Sequence, residues 1–184
     1  MQMLLGLCSS DDGAARFMEG RTGSVWVAHH GERDTAPYGS MFALATDDIA
    51  GATEAADAGL HLIFRRVIKQ SGADVPPQRV IASFGMVRHP DLEHAESDAH
   101  WRDQHGPLAL ASHTAMCDYE QLSILATLQG TPLDGVAMCA FPDRSTLSTD
   151  FFNDDDAKAA IIADVASFAD TRASLPRVVL TQTR

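Results

Sequence analysis

The order of strand-like and helix-like runs between Val80 and Gln182 constrains this chain more than any other feature. Strand-like runs cover 80–87, 117–128, 135–141 and 177–182. In the second of these, Tyr119, Gln121, Ser123 and Leu125 point one way and Glu120, Leu122, Ile124 and Ala126 the other, the two-residue period of a half-buried strand. Residues 92–105 read as a helix broken at Gly106-Pro107, with Leu108 to His113 continuing in helical or irregular form. Residues 144–169 read as a second helical region, with Ile161, Ile162, Val165, Phe168 and Ala169 at helical spacing. Pro76-Pro77, His89-Pro90, Gln129-Gly130-Thr131-Pro132 and Pro142-Asp143 punctuate the runs. The order is β-α-β-β-α-β, the split βαβ arrangement of ferredoxin-like units.

The first half reads as a shorter copy of that order. Strands are expected over 3–8, 24–29, 41–45 and 60–67, and helices over 11–18 and 47–58, the latter capped by Thr46 or Asp47. The expected fold is therefore α+β, with two fused ferredoxin-like units forming an α/β barrel. Residues 1–68 would be the reduced unit, 69–78 a linker exposed over Ser71–Gln78, and 79–184 the second unit. The alternative is an irregular N-terminal segment covering the second half.

Composition limits the partners. A formal charge of −11 over 184 residues argues against nucleic acid and against an anionic membrane surface, since both select a basic patch. The one basic concentration, Arg65-Arg66 with Lys69, reads as a solvated strand end. No apolar run approaches a membrane span, and the first eight residues lack a basic lead and are too short for a signal peptide. Cys8, Cys117 and Cys139 are an odd set without a CxxC pair, which suits buried reduced thiols in a cytoplasm. P-loop, dinucleotide-binding and Gly-x-Ser-x-Gly motifs are absent, which removes the commonest nucleotide enzymes and hydrolases.

The chemistry concentrates where the first helix of the second half ends. His94, Asp98, Trp101, His105 and Leu108 fall on one stripe. Titratable groups are costly to bury unpaired, so this face meets solvent or lines a cavity. His105 is the candidate acid/base, because an imidazole titrates near neutrality; its plain alternative is a helix-end histidine held by the dipole. Tyr119 and Gln121 share a strand face and could orient a carbonyl or phenol. Trp101, His100, Asp98 and His113 complete the candidate ligand-binding set, although His100 reads equally as a surface residue. His94, Asp98 and His105 offer spacing a metal could use, but a clear third ligand is missing and no metal is expected. Asp134 precedes Gly135 and reads as a turn former. His29-His30 could cap a strand edge, and Asp154-Asp155-Asp156 reads as the acidic start of a helix.

From about Val80 to Arg184 the chain resembles the EthD domain family. The residues that carry this are His100-Trp101, His105-Gly106-Pro107-Leu108, Tyr119 with Gln121, Asp134-Gly135, Phe151-Phe152 and Phe168-Ala169-Asp170. One position departs: four residues before Trp101 the family has a bulky aromatic, and here stands Ser97. The resemblance implies the dimeric α/β barrel superfamily and, in longer relatives, two units in one chain. It implies an enzyme without a bound cofactor, acting by acid/base chemistry of lyase, cyclase or isomerase type on a small hydrophobic carbonyl or phenolic metabolite, with His105 and Tyr119 as catalytic groups. The alternatives are cofactor-independent monooxygenation and non-catalytic binding of such a metabolite. A homodimer of single-chain barrels is a further expected partner.

Overall fold

In the computed structural model, which describes residues 2–29, 35–72 and 79–184, eight strands close into one antiparallel barrel. The first half contributes β1 (Gln2–Cys8), α1 (Gly13–Phe17), β2 (Ser24–Ala28), β3 (Ser40–Leu44), α2 (Ile49–Ala55) and β4 (Gly59–Lys69). The second contributes β5 (Val80–Met86), α3 (His94–His100), a π-helical turn (Trp101–His105), α4 (Gly106–Ser112), β6 (Asp118–Gly130), β7 (Gly135–Phe141), α5 (Arg144–Thr149), α6 (Asp155–Phe168) and β8 (Val178–Gln182). Around the barrel the order is β1-β3-β2-β8-β5-β7-β6-β4. Each half thus keeps the ferredoxin-like order internally, and the halves join where β2 pairs with β8 and β4 with β6.

Alternation along the strands separates two apolar layers. Leu5, Leu7, Met41, Ile63, Leu122, Ile124, Met138 and Leu180 point inward and fill the barrel. Their outward neighbours Leu4, Phe42 and Leu60 pack under Ala14, Phe17 and Ala52 of the first two helices. In the second half, Tyr119, Cys139, Phe141 and Val179 face outward, toward Ala109 of α4 and Ile161 of α6.

Three expectations change. Gly106-Pro107 does not break the helix: the chain runs from α3 through the π turn into α4, because a proline in the first turn of a helix needs no N–H partner. The helical region 144–169 is two helices, since Asp143 caps α5 through Thr146 N (2.8 Å) and Asp154 caps α6 through Ala157 N (2.7 Å). Between them Asn153 ties the connection to α4, accepting from Thr114 N at 2.9 Å and donating to Ala111 O at 2.6 Å. Finally, Arg65 and Arg66 are not a solvated strand end. They are half-buried in β4, paired with Glu120 and Asp98. Of the expected linker, residues 73–78 lie outside the described residues, as does His30. All three cysteines are free and buried.

Candidate active site

The π turn positions the site. Gly106 N donates to Trp101 O, five residues back, so the helix is one residue wider just before Pro107. Trp101 and His105, at the ends of this turn, both point at the sheet, with relative exposures of 1% and 8%. The indole can lie flat against β7 because residue 135 is glycine: a Cβ there would meet the Trp101 ring at 2.5 Å. Ser97 is buried and donates its hydroxyl to Phe168 O at 2.9 Å, tying α3 to the end of α6.

Asp164 of α6 organises the imidazoles. Its Oδ2 lies 2.7 Å from His105 Nδ1 and its Oδ1 lies 2.8 Å from His100 Nε2. A carboxylate can only accept, so His105 carries its proton on Nδ1 and presents Nε2 as a lone-pair acceptor. That nitrogen has no hydrogen-bond partner among the described residues. The His105 ring packs 5.2 Å from Phe168, and burial lowers its pKa more strongly than Asp164 raises it. The resting group is a neutral imidazole oriented by an acid.

On the strand face opposite, a chain of side chains is almost completely satisfied. Asp98 accepts from Arg66 through both oxygens, and Arg66 Nη1 donates to Gln121 Oε1 at 3.0 Å. This fixes the amide, whose Nε2 donates to Trp101 O (2.9 Å) and to Tyr119 Oη (3.2 Å). Tyr119 Oη also accepts from Trp101 Nε1 at 3.1 Å. With two donors aimed at it, the phenol is left with one function, donating its own hydrogen. Burial pushes its pKa up, so it stays a phenol across the physiological range.

Trp101, His105 and Tyr119 line one cavity of about 340 Å³ between the outer sheet face and the helices. Its wall also includes Phe84 and Met86 of β5, Ala137 and Cys139 of β7, Phe151-Phe152, and Ile161, Val165 and Phe168 of α6, with Thr171 and Ser174 as further polar members. His113 stands in the same wall, 4.6 Å from Phe151 and 5.0 Å from Phe152, with Nδ1 donating to Phe151 O. Burial lowers its pKa too. The Cys139 thiol is pushed up to about 12 by burial and is not a nucleophile there.

The structure therefore brings Trp101, His105, His113 and Tyr119 to one cavity. Gln121 and Asp98 stand behind that wall and act on Tyr119 through the network, while His100 stacks on Phe168 at 5.0 Å and shares Asp164. The donors weighed for a metal are engaged separately: His94 with Asp134 (3.1 Å), Asp98 with Arg66 and His105 with Asp164. Asp134, expected to hold its own turn, instead accepts from Arg88 N and Arg88 Nη1, both at 2.9 Å, and so ties the β6–β7 connection to the segment after β5. Asp164 is the residue that sequence reading missed. The signal was present: a charged residue at helical spacing between Ile161 and Phe168, on the stripe assigned to packing.

Residues 89–172 match the model of the EthD domain, a narrower span than the 80–184 resemblance. No curated protein matches the sequence. Among solved structures, an anthrone oxidase-like protein aligns with TM-score 0.58 and 10% identity, over 100% of this chain and 90% of that chain. A candidate monooxygenase from Fusobacterium nucleatum subsp. nucleatum aligns with TM-score 0.53 and 9% identity, over 100% of this chain and 91% of that one. At such identities the likeness establishes the barrel fold. No helix among the described residues is long and apolar enough to cross a membrane.

Proposed function

We propose, from the match of residues 89–172 to the EthD domain model, that the cavity binds a hydrophobic carbonyl or phenolic metabolite and that His105 moves a proton on it. The observation that carries this reading is the Asp164–His105 pair, with Nε2 unpartnered at an apolar cavity that also holds Tyr119. His105 Nε2 takes the proton from a C–H beside the carbonyl, and the C–H electron pair moves into an enolate. The Tyr119 O–H donates to the developing oxyanion, a donor fixed before reaction and shielded from water. The imidazolium then returns the proton at another carbon, an isomerisation, or to a departing hydroxyl, a dehydration. Asp164 stabilises the imidazolium in between. No step needs a cofactor.

Oxygenation is the second reading. It shares the first step, after which the carbanion would pass its electrons to dioxygen rather than regain a proton. The almost wholly apolar wall, suited to a nonpolar gas, favours keeping it. A binder without turnover is the third.

A thermal-shift panel of neutral bicyclic ketones and phenols, each with its carboxylated analogue, tests the ligand class. At a hundredfold excess over Kd, a ligand adds about 2.7 kcal/mol of stability. Neutral members should stabilise the protein and carboxylated ones should not, because among the described residues no Lys or Arg lines this cavity. Stabilisation by charged members alone would overturn the reading.

Two further outcomes are expected. General-base catalysis needs neutral His105, so activity should hold above the ordinary imidazole value of 6.5 and fall in acid, with its midpoint below that value. A pH–kcat profile with its acid midpoint above 6.5 would contradict this. Tyr119→Phe should weaken ligand or transition-state binding by about 1 kcal/mol, roughly fivefold. It should also lower Tm, because the buried Trp101 and Gln121 donors lose their acceptor.

A further inference from the structure

We infer that the barrel holds a second binding site at its other working surface, the interior end near Trp26, and that this site takes a small organic anion with an apolar body. Eight strands enclose an interior wide enough either to be filled by side chains or to hold one small ligand. Here both occur. Most of the interior is packed with aliphatic side chains, but one end retains a cavity of about 200 Å³. Six strands that are consecutive around the barrel contribute to it: β2, β8, β5, β7, β6 and β4.

Its floor is apolar, formed by Trp26, Ile81, Met138 and Ala140. Its rim carries Arg65, Lys69 and Arg79 against Asp118 and Glu120, three cations to two carboxylates. In a chain of net charge −11, this local excess of positive charge is opposite to the rest of the molecule. Arg65 spends Nε and one Nη on Glu120, which leaves its other Nη group as a donor. Lys69 Nζ gives one hydrogen to Met116 O at 2.5 Å and keeps two. A carboxylate placed between them would gain charge-assisted hydrogen bonds, and its hydrocarbon part would lie on the Trp26 ring. The cavity falls below the usual range for drug-sized ligands, which favours a single ring or a short chain. This site is on the inner sheet face and the His105 cavity is on the outer, so the two are independent.

Benzoate is the probe, with neutral benzamide as comparator. The chain has two tryptophans, Trp26 and Trp101, one per cavity, so two indole N–H signals in a nitrogen-15 NMR spectrum report the sites separately. Benzoate should move the Trp26 signal and leave that of Trp101, benzamide should leave the Trp26 signal in place, and Lys69→Met should weaken benzoate about tenfold, the loss of one charged hydrogen bond. The inference is overturned if benzoate leaves the Trp26 signal in place, if benzamide binds as tightly, or if Lys69→Met binds benzoate unchanged. Should Lys69→Met fold poorly, the benzoate–benzamide comparison on the wild-type chain decides alone.

Discussion

His105→Ala is expected to lower turnover by roughly 10²–10⁴-fold, the range for losing a positioned general acid or base, while ligand affinity stays within a small factor. The fold should survive, because Asp164 keeps its bond to His100 at 2.8 Å and is not stranded as an unpaired charge. Steady-state kinetics paired with ligand titration separate the outcomes. A catalyst loses kcat and retains affinity. A pure binder shows no turnover in either protein, and a residue needed only for packing lowers Tm and affinity together.

The second large effect concerns acid stability and arises inside the barrel. His61 of β4 is fully buried, its Nδ1 lies 3.2 Å from Thr127 Oγ1, and its Nε2 has no hydrogen-bond partner among the described residues. Burial lowers its pKa from 6.5 to about 4. The sign follows: the unfolded chain binds this proton more readily, so stability is full above the unfolded value of 6.5 and declines as pH falls toward about 4. That interval corresponds to about 3 kcal/mol from one side chain, and His105 and His113 add in the same direction. Denaturant titrations at neutral pH and near the lower value should differ by at least that amount. His61→Leu should remove a large part of the difference, and an equal slope in that variant would show that other groups carry the acid lability.

Much of the barrel was legible because its strands alternate and its turns carry Gly and Pro. Tyr119 and Gln121 could be set on one sheet face and Leu122 and Ile124 on the other from period alone, whereas the uniformly apolar run Gly135 to Phe141 marks a strand without telling its faces. The helical segments were less legible. Gly106-Pro107 reads as a stop, and only the wide turn set by Trp101 and His105 shows why the chain continues through it. The pairing of Arg66 with Asp98, and of Asp164 with two histidines, joins residues far apart in sequence, which local spacing cannot reveal. Candidate residues were therefore found where they sit on one helix or one strand. The network that fixes their protonation appears only once the halves of the domain are folded together.

Proton exchange tests the central claim most directly. β-Tetralone, a bicyclic ketone with an acidic ring C–H, can be held in deuterium oxide under nitrogen with the wild-type chain and with His105→Ala, and deuterium uptake followed by proton NMR. Wild type should accelerate uptake, the variant should lose roughly 10²–10⁴-fold of that acceleration, and the wild-type rate should fall in acid with the titration of His105. Equal uptake with both proteins, while the ketone is bound by both, would contradict the assignment of His105 as the proton-transferring group.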